Sequence, residues 1–250
     1  MRAVSKAAES AEKNSVVAPE TASRRAFLLR RLHSLSGVVP VGGFLALHLW
    51  TNATVLGGRE PFDHAVGDIQ KIPLLPAAEV FGILLPLAFH AFYGVFLASQ
   101  GRPNVQSYSF GRNWAYVFQR ITGVIAFLFV LVHLWELRVQ KWLFGLSHLA
   151  FYDTLVAHLS AVTVGLPLVA LFYLIGVASA VFHFANGLVT FCLTWGLVAS
   201  RAAQRRLEIA AFVVGLSLFG LGATTVVSLA TGTHVSALAP PASIDRTPCP

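Results

Sequence analysis

Charge is scarce in this chain of 250 residues. Only 12% are Asp, Glu, Lys or Arg, 56% are hydrophobic, and the mean hydropathy is +0.68. Soluble domains are about 25% charged, so this chain cannot clothe a water-facing surface with charge. Disorder is excluded, because it needs low hydrophobicity and high charge. A soluble enzyme is disfavoured by apolar runs longer than the ~18 residues that mark a membrane span. Cysteine is nearly absent: Cys192 lies in an apolar run, Cys249 is next to last, and neither belongs to a C-x-x-C pair. This excludes a disulfide framework and an iron–sulfur cluster held by this chain alone, which takes about four thiolates. The 20 Gly and 12 Pro follow no period, against collagen-like and low-complexity classes.

What the chain has in abundance is long apolar segments, at roughly 34–56, 73–99, 114–137, 162–200 and 209–231. About 20 residues cross the ~30 Å hydrocarbon core. Backbone polar groups in lipid must be satisfied within the segment, so each is expected to be a helix. A β-barrel would show ~10-residue stretches of alternating polarity, and none is present. The expected fold is an all-α membrane protein, a five-helix bundle over 24–231, flanked by mobile tails at 1–23 and 232–250. The fourth segment is nearly twice the needed length, so it should tilt, project or kink, with Pro167 as the candidate.

The stretch SRRAFLL (23–29) resembles a twin-arginine export signal. However, Arg30, Arg31 and His33 interrupt its apolar part, and no small-residue cleavage site precedes a full-length span. These arginines read instead as an anchor on the inner face. With the N-terminus in the cytoplasm, thirteen of the 18 Lys and Arg fall on that side and seven of the 11 acids on the other. Basic residues decide orientation, so the C-terminus is expected outside. The net charge of +7 is thereby a matter of topology, and nucleic acid is not an expected partner. Trp50, Trp114, Trp135 and Trp195 all stand near span ends, where interfacial belts form.

Ionisable groups inside a bilayer are costly and mark functional sites. His48, His90, His133 and His183 lie one to a span, in the first four spans. A lone histidine on an apolar helix is often a simple interhelical contact; four on separate helices make that reading weak. At about 1.5 Å per residue, His48 stands about 26 Å above Arg31, and His133 is similarly high above Arg120 and Trp114. His90 and His183 stand about 15–18 Å above the inner ends of their spans. Depth therefore sorts them into an outer pair, His48 with His133, and an inner pair, His90 with His183. Paired imidazoles from facing helices suit the two axial positions of haem iron, and such a haem carries electrons without binding oxygen. Gly94 and Gly187, each four residues after an inner histidine, would open room for a porphyrin beside it. Tyr93 and Asn186 are candidate polar neighbours. Zinc is disfavoured, since two histidines without Cys or carboxylate make a poor site.

The segments RRLHSLSGVVPVGGFLALHL (30–49), LPLAFHAFYG (85–94), FQRITGVIAF (118–127) and FHFANGLVTF (182–191) resemble the cytochrome b membrane-anchor subunit of succinate dehydrogenases and fumarate reductases. The match is to the five-helix, two-haem, single-anchor type. It spans roughly 24–231, with all four histidine segments in order. The resemblance implies two haems b, ligated by His48 and His133 distal to the catalytic subunits and by His90 and His183 proximal to them. It also implies a flavoprotein subunit with FAD, an iron–sulfur subunit on the cytoplasmic side, and menaquinone as the usual quinone. The chain would then be a non-catalytic electron-transfer subunit in a bacterial inner membrane, serving succinate oxidation or its reverse. The 50-residue gap from His133 to His183 is long for the family and suggests an insertion around 143–164.

Arg120 and His33, near inner span ends, are candidates for haem propionates or a quinone head group, because a cation there pairs with carboxylates. Asp63, Asp68 and Glu79 could exchange protons with quinone near the outer haem. His64, His148, His158 and His234 are expected to be solvated. Two rivals remain: a dihaem anchor of another quinone-linked oxidoreductase, of hydrogenase or formate dehydrogenase type, and a haem-free proton-coupled transporter.

Overall fold

The computed structural model describes residues 20–103 and 105–234, with side chains from residue 24. The expected tails lie outside these residues except at their inner ends. Among the described residues, five helices are long and apolar enough to cross a membrane. They are α1 (Arg24–Gly57), α3 (Leu75–Ser99), α4 (Gly111–Phe144), α6 (Leu168–Thr194) and α7 (Arg201–Thr231). Two shorter helices, α2 (Arg59–Gln70) and α5 (Phe151–Leu159), join them. Helix α6 packs between α4 and α7, and α1 lies against α3 and α7.

Small residues set the close approaches. A methyl on Gly176 of α6 would run into the Phe129 ring of α4, and one on Gly222 of α7 would meet Val177 of α6. Where lipid tails are as apolar as leucine, such close packing is what holds helices together. Three spans carry π-helical turns, at Gly37–Val41, Val80–Leu84 and Leu134–Val139. The first contains Pro40, which lacks the N–H that an α-helical turn needs, so the chain widens there instead of breaking.

The fourth apolar run differs from expectation in extent. Its helix has 27 residues, starting after Pro167 and ending before Gly196, whose φ is +71°. Residues 162–166 form a tight turn instead, with Thr163 and Leu166 exchanging backbone hydrogen bonds of 2.9 and 3.1 Å. Hydropathy registers apolarity but not the breakers Gly165, Pro167 and Gly196, so the run looked too long for one span.

The two ends of the bundle differ. One is basic, gathering Arg24, Arg25, Arg30 and Arg31 of α1, Arg112 and Arg120 of α4, and Arg201, Arg205 and Arg206 of α7. There Arg31 covers the Trp195 ring at 4.7 Å, and Arg112 pairs with Glu208 at 2.6 Å. The other end is capped by α2 and α5. The cap is well buried: Val55, Phe62 and Leu159 are at most 2% exposed. Burying one such side chain is worth about 2 kcal/mol. Arg59 of α2 ties the cap together by pairing with Asp153 of α5 and covering the Tyr152 ring at 4.7 Å. The residues around 143–164 thus build half of this cap.

Two histidine pairs as the candidate functional site

His48 of α1 and His133 of α4 meet with ring centroids 5.6 Å apart, near the capped end. His90 of α3 and His183 of α6 meet at 5.9 Å, nearer the basic end. A metal–imidazole bond is about 2 Å long, so two rings on opposite sides of one metal have centroids about 6 Å apart. Both pairs have that spacing. Among the described residues, no group of three or more His, Cys, Asp or Glu could hold a metal. Two protein ligands are too few for an ordinary tetrahedral site but are the full complement for haem, which brings its own equatorial nitrogens.

The inner pair is anchored to backbone. His90 Nδ1 donates to the carbonyl of His33 on α1, and His183 Nδ1 to the carbonyl of Gln119 on α4, each at 2.9 Å. With Nδ1 committed to a carbonyl, Nε2 is the nitrogen left to bind a metal, the usual arrangement for ligating histidines. Both carbonyls stand four residues before a glycine, Gly37 and Gly123. A methyl on Gly37 would collide with the His90 ring, and one on Gly123 would come within 2.8 Å of the His183 ring. An intrahelical carbonyl is normally screened by the side chain one turn on. Glycine removes that screen, so a ring from the next helix can reach the oxygen.

The remaining sequence candidates fall around this frame. Gly94 faces His33, whose Nε2 would lie 3.0 Å from an added methyl, whereas Gly187 is in ordinary contact with Gln119 at 3.5 Å. The His33 ring stacks on His90 at 4.2 Å, and Tyr93 tilts against it at 5.8 Å. Asn186 donates to the Gln119 side chain at 2.7 Å, and Gln119 in turn donates to the His183 carbonyl at 3.0 Å. Arg120 covers the Tyr116 ring at 3.5 Å. His33 Nε2 and Arg120 Nε are buried without a hydrogen-bond partner. Two orphaned nitrogens at the basic end are what an anionic group there would satisfy.

The outer pair is anchored by side chains. Tyr173 of α6 places its hydroxyl 3.3 Å from His133 Nδ1 and donates to the Glu136 carboxylate. Asn52 Nδ2 donates to the His48 carbonyl at 2.7 Å and lies 3.3 Å from its Nε2. His158 stands 3.7 Å from Glu136. A cavity of about 440 Å³ opens beside them, lined by Trp135, Glu136 and His158 among others. Nothing in the apolar periodicity signalled Tyr173; a hydroxyl in the second turn of a largely apolar span was the cue available.

The acidic candidates all sit at the capped end. Glu79 is buried and ion-paired with Arg138. Asp63 lies 3.8 Å from Arg59 and has a buried, unpartnered Oδ1. Asp68 is exposed, and there a hydrogen bond from Lys71 at 2.7 Å, with His64 beside it, holds its carboxyl below the ordinary range.

Five helices long and apolar enough to span a membrane, with two facing histidine pairs between them, define a helical integral membrane protein. Comparison with known proteins makes this particular. The family model of the succinate dehydrogenase/fumarate reductase transmembrane subunit matches residues 100–224. The chain is also 40% identical over 198 residues to the succinate dehydrogenase cytochrome b558 subunit of Bacillus subtilis (strain 168), covering 79% of this chain and 94% of the relative. The chain belongs to the family of transmembrane cytochrome b subunits of succinate dehydrogenases and fumarate reductases. That membership sets aside the hydrogenase-type, formate dehydrogenase-type and transporter alternatives.

Proposed function

We propose that this membrane subunit is a dihaem anchor, holding one haem b between His90 and His183 and a second between His48 and His133. When bound, the haems would supply reversible one-electron transfer between an iron–sulfur subunit and a quinone such as menaquinone. The observation that carries this reading is the inner pair. Two imidazoles from different helices each have Nδ1 tied to a neighbouring carbonyl, so each keeps Nε2 for a metal. Two further observations support it. Gly37 and Gly123 keep space for the rings, and His33 and Arg120 offer unpartnered nitrogens to haem propionates or a quinone head group.

The basic end faces the cytoplasm in this reading, since basic residues mark the inner side. The N-terminus is then inside, the C-terminus outside, and the flavoprotein subunit with FAD and the iron–sulfur subunit dock at the basic end of a bacterial inner-membrane protein. Asp63, Asp68 and Glu79, at the capped end, are the candidates for proton exchange with quinone. Asp63 is the best placed of the three, because it alone has a buried oxygen without a partner.

The test is haem content per polypeptide in the intact complex, with a reduced-minus-oxidised spectrum, repeated on His48→Ala and His183→Ala. Two b-type haems, with a different one lost in each variant, are expected. A folded complex without haem would overturn the reading.

A further inference from the structure

The two histidine pairs differ in what their Nδ1 atoms meet. At the inner pair both donate to neutral backbone carbonyls. At the outer pair His133 Nδ1 meets the hydroxyl of Tyr173, which is itself bonded to a carboxylate. Tyrosine has one hydroxyl proton. Glu136 takes it, so toward His133 the hydroxyl oxygen can only accept, and His133 must donate. The chain His133 Nδ1–H → Tyr173 O–H → Glu136 thus fixes the tautomer with Nε2 free. It also links the imidazole, through one buried hydroxyl, to a negative charge. Tyr173 is 5% exposed, so little water competes for either bond. Glu136 lies in the π-helical turn Leu134–Val139 that follows His133 directly.

We propose that Tyr173 and Glu136 are positioning residues that set the redox potential of the outer haem through His133. The proposal rests on the reading that His133 ligates haem. Hydrogen bonding that draws the Nδ1 proton away makes the imidazole a stronger electron donor, which favours ferric over ferrous iron and lowers the potential. The backbone carbonyls at the inner pair do this more weakly, because they carry no charge.

The test uses the intact complex, with optical redox titration of both haems and electron paramagnetic resonance of their ferric forms, on Tyr173→Phe and Glu136→Gln. Tyr173→Phe removes the acceptor from His133. Glu136→Gln keeps an acceptor for Tyr173 and the side-chain shape but removes the charge, so it decides the matter if the first variant fails to assemble. The haem that His48→Ala removes should shift toward ferrous by about tenfold, roughly 59 mV upward for one electron, with altered g-values. The other haem should keep its potential. Unchanged potentials in haem-replete variants would overturn the proposal, as would an equal shift of both haems or a shift of only the haem lost in His183→Ala. Absence of haem from the unmodified complex would instead overturn the reading on which the proposal rests.

Discussion

The inner and outer halves of this bundle solve the same problem with opposite materials. At the inner pair the histidines are held by what is missing: glycines at 37 and 123 bare the carbonyls that receive the rings. At the outer pair they are held by what is added: Tyr173, Glu136 and Asn52, with the Arg138–Glu79 pair close behind. A backbone acceptor cannot be substituted away, and its polarity does not vary. A side-chain acceptor can be changed by one substitution and can carry charge. The inner site is therefore geometrically strict but electrically plain, and the outer site is the one the sequence can tune.

The largest effect should come from the charged half. Arg138→Ala leaves Glu79 as a buried carboxylate without its partner, a class of change that costs about 3–5 kcal/mol. Thermal or denaturant unfolding of the complex should show this loss, with the outer haem released first. Equal stability to the parent would mean that the packing of α3 against α4 owes little to this pair, and the contrast between the halves would weaken.

Next come the absences. Gly37→Ala and Gly123→Ala each drive a methyl into a histidine ring, and overpacking of this kind costs about 1–3 kcal/mol. The inner haem should be lost or perturbed in the spectrum while the outer one keeps its band. Loss of both haems together would show that the two sites are not independently built.

How much of this was legible beforehand follows from what each feature depends on. The five spans could be read because apolar length alone dictates them. The histidine pairing could be read because depth is a count of residues along a helix. Gly37 and Gly123 were in plain view but not interpretable, since which ring a glycine faces depends on helix rotation. The sequence pointed instead to Gly94 and Gly187 on the histidines' own helices, and in the structure these face His33 and Gln119. His158 was expected to be merely solvated; it is half exposed but stands beside Glu136. Glu136 itself counted only as one more acid on the outer side. Its bond to Tyr173 arises from the packing of α4 against α6, which no local pattern encodes.

The smallest effect separates the two meanings a glycine can have here. Gly187 sits four residues after His183, and a methyl there would meet only the Gln119 side chain, at ordinary contact distance. Protein atoms thus leave Gly187→Ala free, and replacing a helical glycine by alanine tends to stabilise by up to about 1 kcal/mol. Unfolding of this variant should occur at or slightly above the parent's midpoint. If its inner haem is nevertheless depleted, the space beside Gly187 belongs to the macrocycle, and that glycine serves the cofactor while Gly37 and Gly123 serve the ligands. If haem content is also unchanged, the inner site needs only the two glycines that touch its rings. The retained stability makes the result decisive, because a haem lost from a fully stable fold has been displaced by the methyl alone.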